Sequence, residues 1–371
     1  MNKKQKTDSR GIRKAIAFIM VFAILTGVIL SVNGGVLAQQ LTAGTTTYLP
    51  MVIKPAPRQV LLGTYTESYL GFQDTIDNEV KAIDTWSGKQ LSLVGTFIAI
   101  EDPYPNSNIP GPLGKIWDNG YTPFVNLNTS KTLGDINSGS LDSNIRAMAQ
   151  AFKAWRDTGI SKGQNRKSYL APLQEMNGDW VSYNGSPSDF KKAFQRIQDI
   201  FDQEGATPSV RWVFAPNGWS DTNQAPFEDY YPGDSKVEVV AFSSYNSGYC
   251  PSSLYKTWTD PETVFTSYIE RFLAMAPSKP IFIAQTATSA YAQNGYSNQA
   301  KNDWLYDAYT LLAGSYGVKG IVYFNKEINQ TCDWAFYQPS GSKFDGYAQA
   351  AKEEEFVYIA PEQLANMTLT P

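Results

Sequence analysis

From Gln59 onward the chain repeats one pattern eight times: a short apolar run of strand character, then a longer stretch of helical period. The runs fall at 60–65, 91–100, 122–127, 168–173, 210–215, 237–243, 280–284 and 320–324. Helices are predicted between them, among others over 72–86, 141–157, 188–204, 261–275 and 298–314. Ala147, Phe152 and Trp155 fall near helical spacing, and Ser188, after the break at Pro187, reads as a helix start. Strands alternating with helices imply a parallel sheet with crossover helices. Eight such units between residues 58 and 351 fit an α/β fold, a closed (β/α)8 TIM barrel. The alternative is an open doubly wound sheet. Its nucleotide-binding version needs a glycine-rich phosphate loop after the first strand, where Gly63-Thr64-Tyr65-Thr66 stands instead.

The flanks read differently. Lys3, Lys4, Lys6, Arg10, Arg13 and Lys14 precede an apolar stretch at 15–32, and Val36-Leu37-Ala38 offers small residues for cleavage before Gln39. Residues 1–38 are therefore expected to be an export signal, with an uncleaved membrane anchor as the alternative. Residues 39–57, rich in Thr, Pro and Ala, read as a linker, with a short strand possible at 45–53. Residues 352–371 read as a C-terminal tail whose Glu353-Glu354-Glu355 run is a solvated helix end. The chain has two cysteines, Cys250 and Cys332. In an oxidising compartment they form one disulfide, worth about 4 kcal/mol in the chain-entropy model; two separate buried thiols are the alternative. The expected location is secreted or cell-surface, with a membrane partner only if the N-terminal segment stays uncleaved. A monomer is expected.

Composition excludes several chemistries. Net charge is −4, so there is no basic footprint for nucleic acid. Charged residues make up only 18% while aromatics reach 13%, which favours a folded, aromatic-lined surface. The chain has no histidine. That removes Ser-His-Asp and Cys-His catalysis and histidine metal sites, and leaves acid–base work to Asp, Glu, Tyr or Lys. No organic cofactor is expected, and no metal: no EF-hand-like spacing is present.

In a barrel, chemistry sits where strands end and the following loops begin. Those ends carry Tyr65 and Glu67, Glu101-Asp102, Gln174-Glu175 with Asn177, Asn217 and Trp219, Tyr245-Asn246, Gln285, and Asn325 with Glu327 and Trp334. Such an amide-rich, aromatic rim suits sugar binding through hydroxyl hydrogen bonds and ring stacking. Glu175, beside Leu173 and Met176, has the surroundings that raise a carboxyl pKa and suit it to proton donation; a structural carboxylate bonded to backbone N–H groups is the other reading. Trp180, Trp219 and Trp334 are stacking platforms or loop-packing residues. Gln285 by itself reads as a hydrogen-bonding residue at the barrel mouth.

The stretches 172–180, 211–217, 229–234, 242–246, 279–284 and 323–325, with Asp333 and Trp334, resemble in order the motifs of glycoside hydrolase family 26, the β-mannanase group of the retaining barrel clan. The resemblance covers strands four to eight; the first third matches loosely. It implies that Glu175 is the general acid/base, that Gln285 stands where the family has its nucleophilic glutamate, and that Tyr245 orients that position. It places Gln174 where the family usually has a sugar-contacting histidine. The rim reading puts Asn177, Trp180, Asn217, Trp219 and Trp334 along the substrate.

Retention of configuration needs a carboxylate to form the covalent glycosyl-enzyme, and an amide is neutral and a very poor nucleophile. Three expectations follow. One is an active glycosidase using another carboxylate (Glu67, Glu101 or Glu327) or an N-acetyl group of the substrate. A second is a secreted binding protein that kept the cleft. A third is a structural cell-surface module. The working expectation is a protein that acts on, or binds, a β-linked polysaccharide, mannan-type favoured.

Overall fold

The computed structural model describes residues 58–66, 76–220, 223–253, 256–328 and 332–371. The expected signal or anchor, the linker, the strand at 45–53, Glu67, the start of the first helix and the Glu327 side chain lie outside the described residues.

All eight expected runs are strands of one parallel barrel. They are β1 (Val60–Thr66), β2 (Leu93–Ala99), β3 (Thr122–Asn128), β4 (Ser168–Pro172), β5 (Val210–Phe214), β6 (Val239–Ser243), β7 (Ile281–Thr286) and β8 (Val318–Asn325). Each pairs with its sequence neighbour, and β8 closes onto β1 over a register from Leu61↔Gly320 to Thr66↔Asn325. Closure excludes the open doubly wound sheet.

The helices Pro261–Met275 and Asn298–Gly314 coincide with the sequence reading. The helix expected at 188–204 is Pro187–Gln203. Pro187 opens that helix, because a first-turn residue has no N–H to lose, and the Ser186 hydroxyl caps it by accepting from the Asp189 N–H at 3.1 Å. The helix expected at 72–86 is described from Ile76. Its described part is a π turn, Ile76–Val80, followed by Lys81–Ser87.

Period-two alternation sorts the strand side chains into two cores. Val60 and Leu62 face the helical layer, whereas Leu61 joins Leu93, Phe124, Tyr169, Val213, Phe282 and Val322 inside the barrel. The interior is a packed core with its floor supplied by residues 352–371, the stretch that reads as a tail in the sequence. Phe356–Val357 adds to β1 through Val60↔Phe356 and Leu61↔Val357. Ile359, Leu364 and Leu369 then pack onto the interior cluster. The Arg211 guanidinium donates to the carbonyls of Leu364, Ala365 and Met367 at the end of the helix Pro361–Asn366. A helix leaves its last carbonyls unpaired, and a cation there satisfies both hydrogen bonding and dipole. The acidic run Glu353–Glu355 is the turn that leads into this strand, and the Glu355 carbonyl accepts from Val60 N–H at 2.8 Å.

At the opposite end, where the loops gather, a disulfide joins Cys250 to Cys332, with Cα atoms 5.2 Å apart. It ties the loop after β6 to the loop after β8.

If the last twenty residues are core, truncating Leu364 opens a cavity. Leu364→Ala should lower unfolding stability by about 2–5 kcal/mol in a urea titration. A change within about 0.5 kcal/mol would return the segment to the status of a surface tail.

Candidate active site

Two backbone irregularities aim the central groups. After β4 the chain carries Leu173 at φ 56° and Glu175 at φ 57°, the two non-glycine residues with positive φ among the described residues. Such left-handed residues cost on the order of 1–3 kcal/mol each and persist where neighbours over-determine them. Here the Leu173 N–H donates to the Leu127 carbonyl at 2.7 Å and the Glu175 N–H to the Ala215 carbonyl at 2.8 Å. Leu173 and Met176 are buried beneath, and Gln174 and Glu175 are held at the mouth.

The second irregularity is in β7. Phe242 pairs with Ile283, but Ser243 pairs with Gln285, so Ala284 is an extra residue. On the other side Ile321 pairs with Ile283 and Tyr323 with Thr286, the same surplus. This is a β-bulge. Phe282 and Ala284 face the barrel interior. Strict alternation would send Gln285 out to the helices; the bulge turns it back, and its Oε1 accepts from the Tyr245 hydroxyl at 3.0 Å.

Glu175 and Tyr245 form one electrostatic unit. The Glu175 Oε2 accepts from the Trp180 indole N–H at 2.7 Å. Its Oε1 is shut off from solvent without an aligned partner, although the Ser243 hydroxyl and the Asn217 amide lie beside it. Burial raises the carboxyl above its ordinary range, against the pull of those three polar neighbours. Burial, and then the Glu175 charge, push the Tyr245 phenol well up, so it keeps its proton and donates. Ser243 touches both groups. It is not among the expected site residues, though alternation from Val239 through Ala241 marks it as inward-facing.

Around this unit runs an open cleft in two arms that share Trp180. One arm, about 830 Å³, is lined by Glu101, Asp102, Asn128, Gln174, Trp180 and Tyr183 among others. The other, about 520 Å³, is lined by Trp180, Asn217, Trp219, Tyr245, Tyr268 and Trp334 among others. Trp180 and Trp219 are 49% and 38% exposed and stack with ring centroids 6.1 Å apart, so they are platforms rather than core. A Cβ at Gly178 would strike the Trp180 indole, which is why glycine precedes that turn. Trp334 stacks on Tyr245 at 5.0 Å.

Not every rim residue faces the cleft. Asn177, expected along the substrate, is fully buried. Its amide donates to the Asn217 carbonyl (2.8 Å) and the Ser220 hydroxyl (2.9 Å), and its Oδ1 accepts from Asn217 N–H (2.8 Å). It shapes the loop after β5 instead. Asn246 likewise bonds Thr288 and Thr259. Lys301, which carried no sequence signal, is buried and donates to the carbonyls of Asp333 and Ala335, clamping the loop that holds Trp334.

Comparison with known proteins agrees with this geometry. The sequence profile of the family described as Glycosyl hydrolase family 26 matches residues 112–319, more than half the chain. Endoglucanase H of Acetivibrio thermocellus is 28% identical over 287 residues, covering 74% of this chain and 29% of that protein. A mannan endo-1,4-beta-mannosidase of Bacillus subtilis is 26% identical over 137 residues, covering 34% of this chain and 32% of that protein. The chain thus spans less than a third of the length of these relatives. Among solved structures, a modular endo-beta-1,4-mannanase from Cellulomonas fimi superposes with a TM-score of 0.62 at 14% identity, covering 84% of this chain and 74% of that one. The Bacillus subtilis mannanase BCman gives 0.56 at 18% identity, covering 81% and 87%. At these identities the likeness is one of fold, and the fold is the TIM barrel.

The raised carboxyl has a signed consequence for stability. A Glu whose folded-state pKa lies above its ordinary value of 4.5 binds protons more tightly in the folded state. The native state therefore loses stability as pH rises from that value through the folded pKa. Glu175→Gln should melt at the same temperature as the wild type, within about 1 °C, below pH 4.5 and progressively higher than it toward neutrality. Parallel pH–melting curves would contradict the burial of this charge.

Proposed function

The chain belongs to glycosyl hydrolase family 26, and from that premise we propose that its cleft takes a β-linked polysaccharide of the mannan type, with Glu175 as the general acid/base. The observation that carries this reading is the position of Glu175: a carboxyl with raised pKa, bonded to the indole of Trp180, which lines both open arms and stacks on Trp219. A buried carboxyl keeps its proton nearer neutrality and can deliver it to a departing glycosidic oxygen. An arm on each side of Trp180 accommodates a chain that continues in both directions. The mannan preference is supported by the mannosidases among the relatives.

Gln285 limits the chemistry. In a retaining glycosidase the partner carboxylate attacks the anomeric carbon and meets its positive charge. An amide in that place offers neither the charge nor an adequate nucleophile. Tyr245 engages its Oε1, so a bound sugar meets the NH2 group, a donor suited to a hydroxyl oxygen. This favours a second reading, binding without cleavage. Among the described residues the other carboxylates lining the cleft are Glu101 and Asp102, both in the first arm, and Glu101 is the one from which a water-activating base for inversion is sought.

On the same reading the protein works outside the cytoplasm, as a secreted or surface-attached monomer. The Cys250–Cys332 disulfide supports this, since such bonds persist in oxidising compartments.

Reducing-sugar release from mannan and other β-glycans separates the two readings. If the protein is a binder, wild type is silent and Gln285→Glu gains activity of at least about a hundredfold over background. If it is a hydrolase, wild type cleaves and Glu175→Gln abolishes it by a factor on the order of a hundred or more. Activity that survives Glu175→Gln would remove Glu175 from the reaction.

A further inference from the structure

The first arm of the cleft carries polar groups that proton donation does not use. Gln174 is 7% exposed and lines the arm, and its Oε1 meets no donor. Glu101 lines the same arm. Its Oε1 accepts from the Ser130 N–H at 2.9 Å and the Ser130 hydroxyl at 2.8 Å, while its Oε2 is closed off from solvent without an aligned partner. Burial pushes the Glu101 carboxyl up, but the Ser130 and Thr129 hydroxyls and the Ser130 N–H outweigh it and hold the group below the usual range, so it is ionised at neutral pH. Asp102 follows directly, anchored by the Tyr104 N–H and the Asn108 amide. Among the described residues lining either arm, none is Lys or Arg.

Buried acceptors without donors are unfavourable until something supplies hydrogen. Gln174 and Glu101 line the same arm, so a ligand unit with several donors lodged there answers both side chains. A ligand carboxylate would instead face Glu101 and Asp102 with no cation to receive it, and a like-charge contact of that kind rejects the wrong partner.

We propose that Glu101 and Gln174 build a glycosyl subsite for a sugar unit that presents hydrogen-bond donors, and that Glu101 makes this subsite reject uronic-acid glycans. The inference rests on the polysaccharide reading of the cleft and sharpens it. The donor can be a hydroxyl of a neutral hexose or the ammonium of an amino sugar, and the two are separable by charge. Glu101 is a specificity residue here, independent of the proton delivered by Glu175.

The test is calorimetric binding to the full chain with three β-1,4-linked hexasaccharides, one of mannose, one of glucosamine and one of mannuronic acid, with product chromatography alongside. Glu101→Gln keeps an acceptor toward Ser130 and removes the charge; Gln174→Ala removes the second acceptor without touching Glu101. Wild type should bind the uronate at least about tenfold more weakly than the neutral oligomer. Glu101→Gln should close most of that gap through improved uronate binding. Gln174→Ala should weaken the neutral oligomer about fivefold or more while leaving the gap in place. If glucosamine is the better donor, its affinity exceeds that of the mannose oligomer in wild type and loses the excess in Glu101→Gln. Equal binding of uronate and neutral oligomer by wild type, or a gap that Glu101→Gln leaves unchanged, overturns the subsite alone. Failure of all three oligomers to bind overturns the polysaccharide reading with it.

Discussion

The hydrogen bond from Tyr245 to Gln285 exists because β7 carries one residue more than its neighbours can pair. In a parallel barrel every strand alternates between the packed interior and the helical layer, and the alternation is indifferent to chemistry. A polar side chain at the wrong parity is lost to the site. The surplus residue at Ala284 changes parity for Gln285, and the left-handed pair Leu173 and Glu175 does the same service at the end of β4 by a different route. Both distortions lie at strand ends, where the ladder can give way without loss of the barrel's closure. Their cost is met by pairing with the neighbouring chain, with Leu127 and Ala215 in one case and with Ser243 and Tyr323 in the other.

The electrostatics of the pair follow from one partner being neutral. In a site with two carboxylates each charge raises the other's pKa, and the proton donor changes strength as its partner becomes esterified. Gln285 has no charge to contribute. The upward push on Glu175 therefore comes from burial rather than from a neighbouring charge. A carboxyl that is held up in this manner can give a proton, but nothing in the Gln285 position tells it when to take one back.

The strand–helix alternation was legible in the sequence because it is set by local apolar patterning, and two helices coincide with their observed bounds, Pro261–Met275 and Asn298–Gly314. Glu175, Gln285 and Tyr245 were legible as strand-end residues, and the structure brings them together around Ser243. The β7 bulge was not, since Ala284 and Gln285 have no local signature of a skipped pairing. Asn177 looked like a ligand contact because buried and exposed amides are the same in sequence; only the position of Asn217 and Ser220 reveals that its hydrogen bonds are already made. The last twenty residues read as a tail with a solvated acidic run, because their pairing with Val60 spans almost the entire barrel in sequence. Lys301 carries no periodic or motif signal at all: a buried ammonium is intelligible only once the carbonyls of Asp333 and Ala335 are seen around it.

The two aromatic walls of the cleft differ in what holds them. Trp334 is fixed by scaffold: the Cys250–Cys332 disulfide stands two residues away, Lys301 clamps the carbonyls on either side, and the Tyr323 hydroxyl donates to the Trp334 carbonyl at 2.8 Å. Trp180 is half exposed, and its indole N–H is held by Glu175. A hydrogen bond to a carboxylate is roughly twice as strong as one to a neutral acid, so the hold on Trp180 is firm when Glu175 is ionised and weaker when it is protonated. By reciprocity, anything that presses Trp180 into its stacked pose, a sugar ring included, draws Glu175 toward the charged form. The platform and the proton are thus a single coupled element: ligand stacking lowers the acidity threshold at the group best placed to donate, while the rigid Trp334 wall takes no part in the exchange.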